Sequence, residues 1–427
     1  MVLARHFGAR RKAFNWALEV IKADIETFNS TGQSAPRPSL YGLRKRWNQA
    51  KKTLCVDAET GEAWWPEVSK EAFADGIKGA VDGYWRWQQS RACKLAGQRV
   101  GFPRFKKKGR DRDRYTVTTG TMRLEADRRH LSLPHLGPVR THENTRRLQR
   151  LIAKDRARIL AVTVRRAGTT IVACVRVAVA RPQQRCNRAA SRVGVDVGVR
   201  VLATVADPDG SILERVANPA PLHAELANLR RLNRQRARRT KGSRRYLESN
   251  RRITRLHARV GNIRAHSVHQ LTTRLAKTHG TIVVEGLDAA AMLQQKGLPG
   301  ARARRRGLAD AGLAEPRRQL RYKSGWYGST LIEADRYFPS SKTCHTCGQG
   351  QPIGWAKVWT CHGCGAVHDR DDNAAINLAR WSPPSGDLGG VAAPVKRGAE
   401  HKTQRRRAVG NDTRKRLPEN PLVGATS

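Results

Sequence analysis

The chain has 427 residues, long enough for two or three domains and a substantial core, and it carries 82 Lys and Arg against 35 Asp and Glu. Its formal net charge of +47 and pI near 11.4 exceed what solubility requires and point to a polyanionic partner. A membrane partner does not fit, because no run approaches the roughly 20 apolar residues of a spanning helix, and the N-terminus shows no secretory signal pattern; a cytoplasmic nucleic-acid binder is expected.

Residues 1–100 read mainly as helices. Phe14, Leu18, Ile21 and Ile25 recur at helical steps, as do Phe73, Ile77, Ala80 and Tyr84. Pro- and Gly-bearing residues 31–39 and an irregular stretch near 57–66 separate them. A helical bundle with a basic face toward nucleic acid is expected. In the loop from Gly101 to Arg110, Pro103 fixes the backbone and Arg104, Phe105, Lys106, Lys107 and Lys108 join a ring to a run of cations. Such a loop can offer a ring face to bases and charge to phosphates.

From Tyr115 to about Ala180 the hydrophobic period shortens to two. Leu131 and Leu133 precede a turn at 134–138, and the runs 159–164 and 171–179 flank Gly168 as a hairpin. A small β-barrel or sheet is predicted over 101–190, interrupted by a helix around 144–154.

A further domain begins at 191. Apolar residues surround a single acid, Asp196, on an otherwise buried strand, where a carboxylate is costly unless it is paired or binds a cation. Gly194 and Gly198 leave the nearby backbone open to close approach, and residues 207–210 form a turn into another strand. Residues 222–277 read as a long helical pair whose arginine-rich faces suit phosphate contact. The strand at 281–287 again ends in one carboxylate, Glu285. A low-order Gly- and Arg-rich connection, an amphipathic helix over 308–327 and a strand within 328–338 complete the expected elements before the cysteine-rich segment. Residues 383–427 are expected to be a mostly disordered basic tail.

Cys344-x2-Cys347 and Cys361-x2-Cys364, thirteen residues apart, are two knuckles with the spacing of a tetrahedral zinc site. Gly348 and Gly365 follow them where positive φ is needed. His345 and His362 lie inside the knuckles and are read as non-ligands. The other cysteines, 55, 93, 174 and 186, are scattered and read as free thiols in a reducing compartment.

Asp196 and Glu285 join an acidic cluster, Asp369-Arg370-Asp371-Asp372, at the start of a helix. By chemistry alone the choice of ligand within that cluster is open. Hard cations such as Mg2+ prefer carboxylate oxygen, and two ions about 3.5 to 4 Å apart can clamp both oxygens of a phosphodiester displacement.

The segments 194–198, 284–287 and 338–344, the two knuckles, and 369–377 in this order resemble the TnpB family, transposon-encoded RNA-guided DNA nucleases related to compact type V CRISPR effectors. The resemblance covers roughly residues 3–380. It implies a multidomain protein of mixed α and β structure, with an RNase H-like RuvC nuclease domain (191–343 and 365–382) and a zinc ribbon inserted at 344–364. A helical recognition lobe (1–100) and a β-barrel wedge domain (101–190) that grips guide RNA would complete it. Asp196, Glu285 and Asp371 would be the catalytic Mg2+ ligands, Asp371 because it is the acid two before Asn373. The implied partners are a guide RNA from the transposon end and double-stranded target DNA. Family members typically carry a leading strand before the helix that here begins near Leu3, which bears on how a target-adjacent DNA motif is read. A CRISPR effector and a non-catalytic nucleic-acid-binding accessory protein are the alternatives; the three acids speak against the second.

Overall fold

Three helices open the chain: α1 (Val2–Thr31), α2 (Leu40–Leu54) and α3 (Lys70–Arg91). The computed structural model describes residues 2–383 apart from 33–36, 96–98, 119–121, 181–183, 295–299 and 355, so the tail expected at 383–427 lies almost wholly outside the described residues. The periodic residues Phe14, Leu18, Ile21, Phe73, Ile77 and Tyr84 are all buried, which is why these segments hold as helices. Ser39 and Ser69 cap α2 and α3, accepting backbone N–H groups of Gly42 and Glu71.

Next come β1 (Arg114–Val117), β2 (Arg123–Leu124), β3 (His130–Leu133), β4 (Gly137–Arg140), α4 (Arg146–Ala153), β5 (Ala157–Ala167) and β6 (Thr170–Val179). Tyr115, Val117, Leu131, Val162 and Val164 join the same apolar cluster as α1 to α3. Among the described residues the expected barrel does not close. The strands form two separate three-stranded sheets, β1-β5-β6 and β2-β3-β4, both antiparallel. The far edge of β6 pairs with no strand among the described residues, and β2 to β4, only two to four residues long, have too few ladder positions to close around the eleven-residue β5.

Residues 188–334 are organised on one five-stranded sheet. Its strands are β7 (Arg188–Asp196), β8 (Val201–Ala206), β9 (Ile212–Ala217), then, after helices α5 (Pro221–Ala224), α6 (Leu226–Ala237) and α7 (Arg244–Thr278), β10 (His279–Glu285). Helices α8 (Ala289–Gln294), α9 (Ala301–Ala311) and α10 (Ala314–Tyr327) lead to β11 (Thr330–Ala334). The strand order is β11-β10-β7-β8-β9, with β7, β10 and β11 parallel and β8 and β9 antiparallel to their neighbours. Two expectations are corrected here. The connection read as low-order contains α8 and α9, the latter arginine-rich and only weakly periodic. The single helix expected over 308–327 is two, because Gly312 takes φ +63° and ends α9.

The last elements among the described residues are β12 (Val358–Thr360), β13 (Val367–Asp369) and α11 (Arg370–Arg380). Strand periodicity sorts the two sides of the large sheet. Val193, Val195, Ile282 and Val284 pack with Leu271, Leu275 and Leu320 of α7 and α10. The alternate residues face the other way: Val283 packs with Leu378 of α11, and a Cβ on Gly194 would stand 2.1 Å from the Ala375 carbonyl oxygen and 2.2 Å from the Ala379 nitrogen. Only glycine lets α11 lie that close to β7. No helix among the described residues is long and apolar enough to cross a membrane.

Candidate functional site

The face of the sheet covered by α11 collects the three acids. Val284 pairs with Val195 across parallel strands, so Glu285 and Asp196 end neighbouring strands side by side. Glu285 is two residues beyond Val283 and Asp196 two beyond Gly194, positions that face α11, so both carboxylates lie on that face. One turn before Ala375, whose carbonyl crowds Gly194, α11 carries Asp371.

Their charges act on one another. Burial, followed by the charges of Glu285 and Asp371, pushes the Asp196 carboxyl up to about 8. Burial raises Glu285 and Asp371 as well, and Asp369 raises Asp371 further. Arg370 opposes the shift at all three acids and so is the cation they share. Nothing in the spacing of the sequence singled it out.

Within the acidic cluster the structure separates roles that sequence chemistry left open. Asp369 is the N-cap of α11, accepting the backbone N–H groups of Asp371 at 2.9 Å and Asp372 at 3.4 Å. Asp372 is held by both arms of Arg215 on β9, Nε at 2.9 Å and Nη2. Asp371 is the member whose charge reaches Asp196. The C-terminal end of the helix is fixed too, since Arg192 on β7 donates to the carbonyls of Ala379, at 2.6 Å, and Trp381.

The four knuckle cysteines come together as the spacing predicts: their sulfurs all lie within 4.8 Å of one another, with Cys344 to Cys364 at 3.7 Å and Cys347 to Cys361 at 3.5 Å. A tetrahedral Zn2+ with bonds of about 2.3 Å needs sulfurs about 3.7 Å apart, so the donor set fits the ion. Gly348 and Gly365 take φ +78° and +71°, as expected of knuckle glycines. Neither His345 nor His362 belongs to the group. The three carboxylates are spread more widely, since among the described residues they form no group within that 4.8 Å limit. An all-oxygen donor set suits hard divalent cations.

The cysteine cluster and the acid-bearing helix are tied together. Asn373, fully buried, accepts the His345 backbone N–H at 3.0 Å and donates to the carbonyls of Ser340 and Thr343; Asn377 donates to the same two carbonyls. The basic loop is anchored on α1. Asn15 of α1 bonds the backbone of Lys106 in both directions, Lys106 reaches Asp111 at 3.2 Å, and the Phe105 ring lies under Lys22, whose Nζ is 4.8 Å from its centroid. Arg104, Lys107 and Lys108 stay exposed.

Comparison with known proteins adds to this geometry. Residues 173–296 match the family OrfB_IS605, described as "Probable transposase", and residues 314–378 match the "Cas12f1-like, TNB domain". A Mycobacterium tuberculosis (strain H37Rv) protein named "Putative RNA-guided DNA endonuclease Rv2885c" is 64% identical over 416 residues, covering 97% of this chain and 90% of that protein. The chain belongs to the TnpB family. A second relative, in Streptomyces pristinaespiralis and also named "Putative RNA-guided DNA endonuclease", is 30% identical over 88% of this chain and 84% of its own length. The fold of this TnpB member resembles the Cas12f1 chain solved by cryo-EM with an sgRNA and target DNA. The two are 15% identical, with a TM-score of 0.52 over 88% of this chain and 82% of the other.

Proposed function

We propose that this chain is an RNA-guided, Mg2+-dependent DNA endonuclease in which Asp196, Glu285 and Asp371 are the catalytic acids. The observation that carries the reading is the convergence of those three carboxylates on the α11 face of one sheet, where Asp196 is raised to about 8 partly by the charges of the other two. Carboxylates crowded this way without a counter-ion cost stability, and a protein retains such a cluster where a cation repays it.

The strand order, three antiparallel strands continued by two parallel ones, supports an RNase H-like RuvC reading for residues 191–343 and 365–382. Asp196 and Glu285 supply oxygens from strand ends, and Asp371 supplies its own from the first turn of α11. Magnesium, when bound, supplies a Lewis acid that activates water and neutralises the leaving oxygen of the phosphodiester. The protein's part is to hold the acids in place: Gly194 admits α11, Asp369 caps it, Arg215 draws Asp372 aside and Arg370 offsets charge before the cation arrives. Asp196 must give up its proton to become a ligand.

Residues 1–100 are proposed as the recognition lobe, 101–190 as the wedge, in sheet form, and 344–364 as a structural zinc ribbon that helps load target DNA. Guide RNA and double-stranded target DNA are the proposed partners. The net charge of +47 supplies phosphate affinity for both, with Arg104, Lys107 and Lys108 as exposed cations and Phe105 and Lys106 fixing the loop that presents them. Pairing with the guide would read sequence while the protein reads backbone shape. The test is cleavage by the purified protein with co-purified RNA: Asp196→Ala is expected to abolish DNA cutting and leave guide RNA bound, and retained cutting would refute the assignment.

A further inference from the structure

The mechanism above makes no use of His368. Its ring is buried, 6% exposed, and its Nε2 lies 3.0 Å from the Cys344 sulfur. The ring is held on two sides, by His345 with centroids 4.5 Å apart and by Trp359 at 4.9 Å. Its backbone is fixed as well, since His368 pairs with Trp359 in the β12–β13 ladder. A metal-bound thiolate has no proton and can only accept, so the nitrogen facing Cys344 must be the N–H side of the imidazole.

We propose that His368 is a positioning residue of the zinc site: it donates its Nε2–H to the Cys344 thiolate, holding that ligand on the metal without coordinating it. Two features of the site support this division. Four sulfurs with near-tetrahedral spacing already complete the coordination, leaving a fifth donor no place. The thiolate charge in a buried site also needs a hydrogen-bond donor, and His368 is the side chain that meets the Cys344 sulfur from outside the set of four. The position has a consequence beyond the metal. His368 directly precedes Asp369, the cap of α11, so the same residue that steadies a zinc ligand sets the chain on course to Asp371.

This inference rests on the zinc reading of the four cysteines, and the test separates the two. Co2+ is loaded into the full-length wild-type protein and into His368→Gln and His368→Ala variants, and the visible absorption is recorded before competition with a chelator. Wild-type protein that takes up no Co2+ with a tetrathiolate spectrum refutes the zinc reading itself. With that spectrum present in wild type, the inference expects both variants to keep it, while affinity for the ion falls about 10- to 100-fold, less for Gln, which can still donate an N–H. An unchanged affinity in His368→Ala overturns the positioning role. A spectrum that shifts on substitution overturns it too, because His368 would then be a ligand.

Discussion

The side-chain carbonyl of Asn373 accepts the backbone N–H of His345 at 3.0 Å, joining the first turn of the acid-bearing helix to the first cysteine knuckle. Asn373 stands two residues after Asp371, so the cysteine cluster and the acid cluster share one polar contact. Removing it takes away the acceptor of the part-buried His345 N–H. Asn373→Ala is expected to lower stability by about 1 to 3 kcal/mol in denaturant unfolding, cushioned by Asn377, which bonds the same carbonyls. A change within about 0.5 kcal/mol would show the contact to be dispensable.

Neighbouring acids should behave unequally. Asp371→Asn is expected to remove DNA cleavage, whereas Asp372→Asn, which weakens a half-exposed pair with Arg215, should cost under about 1 kcal/mol and keep most activity. Parallel cleavage assays on the two variants decide the point. Equal loss in both would mean that the cap geometry, and not a specific ligand, is what matters.

The pH dependence follows from Asp196. Its carboxyl rises from an ordinary 3.8 to about 8, through burial first and then Glu285 and Asp371. The folded chain therefore keeps a proton that the unfolded chain has lost, and the stability from this group is complete at acid pH and disappears as pH climbs toward that raised value. Without added divalent ions, Tm should fall between pH 5 and pH 8.5 more steeply in wild type than in Asp196→Asn. Superimposable curves would contradict the crowding.

Gly194 offers a test that touches no acid. A methyl group there meets backbone atoms of Ala375 and Ala379, which cannot swing aside. Gly194→Ala should displace α11, cost on the order of 1 to 3 kcal/mol, and cut cleavage sharply while all three carboxylates remain. Full activity with unchanged thermal unfolding would show that the helix does not need its close seat.

Much of this site was legible because its signals are local and chemically odd. Two cysteine pairs at knuckle spacing and single acids at the ends of apolar strands stand out without any knowledge of the fold. What stayed hidden depends on contacts across the chain. The pairing of Arg215 with Asp372 spans 157 residues, and the place of His368 beside Cys344 becomes visible only when β12 and β13 pair. Strand periodicity in 115–180 announced β structure but not closure, because alternation fixes which face is buried and leaves the number of edges free. The arginine-rich α9 was missed since a mostly polar helix shows no stripe.

Locating the bound cation tests the central claim most directly. A structure of the protein with guide RNA, target DNA and Mn2+ in place of Mg2+, read by the anomalous signal of the metal, is expected to show manganese between the carboxylates of Asp196, Glu285 and Asp371 and against a backbone phosphate. Manganese bound elsewhere, with those three side chains apart and unliganded, would contradict the account.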